Sequence, residues 1–165
     1  MSEGEVEGMV TVNNFLKLTI ELVPRTSWYN NLRNRMSKES WDKVRKTAYW
    51  EHGYRCVVCG VSDVQLHCHE VWEYDDDKHT QTLKGFVALC PMCHHVKHIG
   101  LAGILADKGE LDFGTVVSHF MQVNSCDKAA FWKYHDEAFA LWEARSQYQW
   151  TVDLGEYAGM VTGGN

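Results

Sequence analysis

Two C-x-x-C pairs, Cys56 with Cys59 (CVVC) and Cys90 with Cys93 (CPMC), constrain this chain more than any other feature, and thirty residues lie between them. A gap of two residues lets both sulfurs of a pair point the same way, so each pair can grip one ion from a tight turn. Four thiolates at about 2.3 Å make a closed tetrahedral zinc site with no position open to a substrate. The spacing therefore predicts a structural Zn²⁺ held by Cys56, Cys59, Cys90 and Cys93, fastening two distant segments into one small core. Disulfide or redox pairs are the competing reading. They call for an exported chain or a thioredoxin-like βαβ setting, and neither is visible.

The rest of the chain suits a single domain of ordinary size. It has 165 residues, 45% hydrophobic, with seven Trp and only two Pro, which describes a globular protein. No apolar run approaches the roughly 20 residues of a membrane span, and the first residues (MSEGEVEG) are acidic where a secretory signal is basic and then apolar. A soluble, cytoplasmic protein in a reducing compartment is expected, with no membrane partner. Three stretches are distinguished: 1–36, an acidic tail, a strand and a basic segment; 37–100, the metal-binding core; and 101–165, a helical extension with a last strand. Alternation of Leu16, Leu18, Ile20 and Leu22 with polar residues predicts the first strand. Ser37 begins a helix carrying Trp41, Val44 and Ala48 on one face, with Gly53 as its stop. Residues 54–100 read as turn, strand, loop, strand and short helix. Two helices are expected from Phe113 onward, the second starting near Ser125 and burying Phe131, Tyr134, Ala138 and Trp142. Alternation at Tyr148, Trp150 and Val152 predicts a final strand, which could pair with the first.

Between the knuckles stands LHCHEVWEYDD, and directly after the second comes HHVKH. His67 and His69 share a face if this segment is a strand, and His94 and His98 share a face if the later one is a helix. This order, CxxC, a strand ending in His, a second strand (FVAL), then CxxCH opening a helix, resembles the zinc-containing HNH endonucleases. Upstream, WDKVRKTAYWEHGYRCVVCG is similar to the helix and Cys-knuckle lead of the same family, so the resemblance covers roughly residues 41–100. It implies an α+β fold with a zinc-stabilised ββα-metal core, here with flanking helices and terminal strands. It also implies a metal-dependent endonuclease acting on DNA, with RNA as a second substrate class. Carried over by position, His69 matches the general base, His94 the metal ligand on the helix, and Lys97 a phosphate contact. His98, four residues beyond His94, adds a second imidazole for the same ion. Histidine ordinarily titrates close to neutrality, which suits removal of a proton from water.

Two positions depart from the family pattern. Cys68 stands where an Asp usually binds the catalytic metal, and the Asn of the family name falls near Gly85. Cys68 reads either as a small buried hydrophobe or as a thiolate ligand, with His67 or Glu70 as other ways to fill the gap. Imidazole and thiolate donors predict a second divalent ion of the transition series in preference to Mg²⁺. Charge is segregated as well. Between Arg25 and Arg55 eight basic residues face three acidic ones, in a chain of formal net charge −6. That stretch, with Arg45 and Lys46 off the apolar stripe of the helix, is the expected nucleic-acid face, or else simply a solvated surface. The acidic total and the missing Asp and Asn support a rival expectation, an inactive HNH scaffold that binds nucleic acid or a protein partner.

Overall fold

A computed structural model describes residues 15–27 and 32–161; the acidic tail expected over 1–12 falls outside the described residues. The chain is a mixed α+β protein with a small three-stranded sheet. Its order is α1 (Leu32–Arg35), α2 (Lys38–Glu51), β1 (His67–Asp75), β2 (Thr80–Leu89), α3 (Pro91–Lys97), α4 (Ile99–Asp107), α5 (Phe113–Asn124), α6 (Lys128–Arg145), β3 (Thr151–Asp153) and a 3₁₀ turn at Gly155–Met160. Among the described residues no helix is long and apolar enough to cross a membrane. Among the described residues two compact units are formed, one from 15–22 with 95–140 and one from 23–27 and 32–94 with 141–161, two of the three boundaries falling inside α3 and α6. They therefore interleave along the chain.

The second unit holds the sheet. β1 and β2 form an antiparallel hairpin, with His67 opposite Leu89 and His69 opposite Val87. The register shifts between Val71 and Trp72, which face Gly85 and Leu83, so Lys84 is the extra residue of a bulge. The turn is closed by Asp75, whose Oδ1 accepts from the backbone N–H groups of Asp77 and Lys78 at 3.0 and 2.9 Å. Asp76 in turn receives Arg145 through two contacts, at 2.7 and 2.8 Å. Asp75 and Asp76 thus shape and anchor the hairpin. β3 lies beside β2 in parallel, Gln81 opposite Val152, so the last strand joins the hairpin and not the N-terminal segment.

α2 starts where Ser37 caps it, its side chain accepting from Ser40 N at 3.1 Å, and Gly53 follows it at φ +62. Val44 and Ala48 on its inner face are buried. Val44 joins Leu32, Met36 and Leu83 in a core lined by Trp41, Cys68, Trp72, Phe86 and Tyr157. This core covers one face of the hairpin and leaves the other to the chemistry described below.

In the other unit the segment 15–22 has the burial of a strand but not its ladder. Leu18 and Ile20 are buried, yet the backbone is satisfied by side chains: Asn124 binds Lys17 N, Leu18 N and Leu18 O, and the Tyr134 hydroxyl accepts from Ile20 N. Alternating hydrophobicity selects an extended chain with one buried face, and these polar side chains then take the place of a neighbouring strand. Phe131 and Tyr134 of α6 are buried beside Phe120 of α5, with ring centroids 5.1 and 5.7 Å apart. Ala138 and Trp142 are half-buried. α4, the run IGLAGILA, was not anticipated because it has no polar stripe to give it a period.

Candidate metal centres

The first knuckle follows α2. Gly53 and Tyr54, both at positive φ, turn the chain out of the helix, and the knuckle closes with Cys56 N donating to Val61 O at 3.0 Å and Gly60 N to Cys56 O at 2.9 Å. Val57 N donates to Ala88 O at 2.9 Å, pinning the knuckle to the end of β2, from which the second knuckle leaves. There Pro91 is the first residue of α3, where its missing N–H costs little. Cys93 N points at Cys90 Sγ, 3.4 Å away. The four Sγ atoms of Cys56, Cys59, Cys90 and Cys93 all lie within 4.8 Å of one another, and those of Cys59 and Cys90 are 3.7 Å apart. Bonds of about 2.3 Å in a tetrahedron place sulfurs about 3.8 Å apart, so the group can hold a metal such as zinc. Cys56, Cys90 and Cys93 are buried, as in a closed site. Among the thiols, Cys56 ionises most readily, its value lowered to about 4 because the Cys93 thiol donates to it; the same bond pushes Cys93 up, and burial pushes Cys90 up to about 11. Four thiolates this close repel one another, and a soft divalent cation is the group that neutralises them.

The second cluster lies on the face of β1 away from the aromatic core. His67 and His69 project there from alternate positions of the strand, and α3 brings His94 up to them. His94 meets His69 with centroids 5.4 Å apart at 77° and His67 at 5.0 Å and 87°, with Nδ1 of His67 and His94 2.8 Å apart. His98 follows one turn beyond His94, at the N-cap of α4. His69 is buried at 4% exposure, and His98 is exposed.

The remaining expected site residues are placed as follows. Cys68 is not brought to either centre. It lies on the opposite face of β1 from His67 and His69 and packs into the core, where burial pushes its thiol up to about 12. The expectation of a Cys68 thiolate ligand is corrected accordingly: strand alternation turns it away from the imidazoles. Lys97 is 9% exposed and its ammonium binds Glu21 and Thr19, each at 2.8 Å, so a phosphate contact would require that pair to open. Lys46 is exposed on α2, and Arg45 beside it is held by Asp42 at 2.8 Å.

Glu70 was only weakly marked in the sequence. It shares the core face with Cys68, and burial raises its carboxyl to about 7 against hydrogen bonds from Trp72 Nε1 at 3.3 Å and the Leu32 backbone. Its position two residues from Cys68 on a strand was the available signal. No family model, curated protein or solved structure matches this chain.

Proposed function

We propose that the chain is a metal-dependent endonuclease of the HNH (ββα-metal) type that hydrolyses phosphodiester bonds in DNA, with RNA as a second substrate class. The observation that carries this reading is the hairpin β1–β2 running directly into α3, with His69 of the hairpin meeting His94 of α3 and a separate four-cysteine centre formed by Cys56, Cys59, Cys90 and Cys93. The cysteines hold a structural zinc and fix the start of α3 against the end of β2. His94 and His98 hold a second divalent ion, which when bound supplies positive charge for the phosphate and the leaving oxygen. His69 removes a proton from the attacking water, and its burial holds the ring in one orientation. These histidines bring no carboxylate, so their nitrogen donors suit Mn²⁺, Co²⁺, Ni²⁺ or Zn²⁺ better than Mg²⁺. Lys46 and Arg45 on α2 provide sequence-independent phosphate contacts.

The test is nicking of plasmid and of single-stranded DNA by the wild type and His69→Ala across a panel of metals at neutral pH. Cutting is expected with Mn²⁺, Co²⁺ or Ni²⁺ and weakly with Mg²⁺, and loss of a positioned base costs about 10² to 10⁴ in rate. Equal cutting by both proteins would remove His69 from the chemistry. A second reading, a scaffold that binds nucleic acid or protein without cutting, is favoured by Cys68, which stands at the family's metal-binding Asp and is packed in the core. Absence of cutting by the wild type with every metal and strand type would overturn the nuclease reading and favour the scaffold.

A further inference from the structure

We infer that His67 is a positioning residue for the imidazole centre, holding His94 by an Nδ1 to Nδ1 hydrogen bond so that the other nitrogen of His94 faces the ion. The inference rests on the metal-centre reading above and adds a residue outside the group of His69, His94 and His98. Its basis is the 2.8 Å separation of the two Nδ1 atoms, with the rings nearly perpendicular. At that distance one nitrogen must carry hydrogen and the other a lone pair. A His94 that uses Nδ1 in this way is left with Nε2 as its metal-facing atom, so one contact settles both tautomer and ring angle. His67 and His69 project from the same face of β1 and both approach His94, so the strand holds the ring from two sides. Outer partners of metal-bound histidines typically contribute 10- to 100-fold in metal affinity.

The experiment loads the cysteine centre of the full chain with Zn²⁺ and then titrates Co²⁺, following the visible absorption of cobalt bound to nitrogen donors. His67→Phe should lower Co²⁺ affinity by about 10- to 100-fold while zinc content stays at the wild-type level. His67→Asn should restore most of that loss, because its Oδ1 occupies nearly the place of the imidazole Nδ1 and can accept from His94. His67→Ala is run in parallel in case the phenyl ring prevents folding. Wild-type affinity in both His67→Phe and His67→Ala overturns the inference, and so does an Asn variant no better than Phe, since that outcome makes His67 a ligand or a packing residue. A wild type that binds no Co²⁺ beyond the cysteine centre overturns the inference together with the metal-centre reading. Loss of Co²⁺ in His94→Ala, with wild-type binding intact, leaves that reading standing whatever the His67 variants show.

Discussion

Replacing Glu70 by Gln should make the protein more stable at alkaline pH and leave it unchanged at acid pH. Glu70 sits on the core face of β1, its carboxyl raised from 4.5 to about 7, chiefly by burial. A carboxyl whose folded value is raised binds its proton more tightly in the folded chain. The folded state therefore suffers no penalty below the unfolded value, loses stability as pH rises from about 4.5 to about 7, and carries the full penalty above. At 1.36 kcal/mol per tenfold change, that interval amounts to about 3 kcal/mol, an upper figure because solvent reaches part of the side chain. Gln keeps an oxygen to accept from Trp72 and removes the charge. Thermal melts of both proteins at pH 5 and pH 9 isolate the term, because loss of zinc or protonation of histidines at low pH affects both alike and cancels in the difference. An advantage of about 6–12 °C for Glu70→Gln at pH 9, falling to about a quarter of that at pH 5, is expected for a penalty of this size. An advantage of the same size at both pH values would refute the reasoning, since it would have nothing to do with ionisation.

Three further outcomes follow from placements described above. Cys90→Ser should lose zinc and either unfold or precipitate, measured by metal content and melting of whatever remains soluble, because a closed thiolate site contributes folding energy directly. The double change Arg45→Ala with Lys46→Ala should weaken DNA binding equally for all sequences and lower the slope of log affinity against log salt by about 1 to 2, read by fluorescence anisotropy. Lys97→Ala should cost about 1.5–3 kcal/mol in urea unfolding, by breaking charge-assisted bonds to Glu21 and Thr19, and leave DNA affinity within twofold of wild type.

The pairing of the knuckles was legible because metal ligation imposes short, fixed spacings on cysteines, and the geometry of Cys56, Cys59, Cys90 and Cys93 agrees with it. His67 and His69 on one strand face, and His98 one turn beyond His94, followed from the periods of strand and helix alone. Those same periods placed Cys68 on the wrong side for a ligand, a consequence that the family pattern obscured. Lys97 illustrates the opposite limit: nothing local announced that Glu21, 76 residues away, would take its charge. The expected strand at Leu16–Leu22 failed for a similar reason, because alternation reports which face is buried and Asn124 and Tyr134, far along the chain, decide what satisfies the backbone. α4 carries no periodic signal, and β3 found its place beside β2 through tertiary contacts that three residues cannot encode.

Two separate centres in one small chain, one of thiolates and one of imidazoles, are what the proposed chemistry depends on. Counting metal ions by native mass spectrometry of the protein equilibrated with Zn²⁺ tests this directly, using the wild type beside a variant carrying His94→Ala and His98→Ala. Two ions in the wild type and one in the double variant, with the melting temperature held up by the remaining ion, is the predicted result. A single ion in both proteins would contradict the account, leaving the histidines of β1 and α3 with no metal to hold.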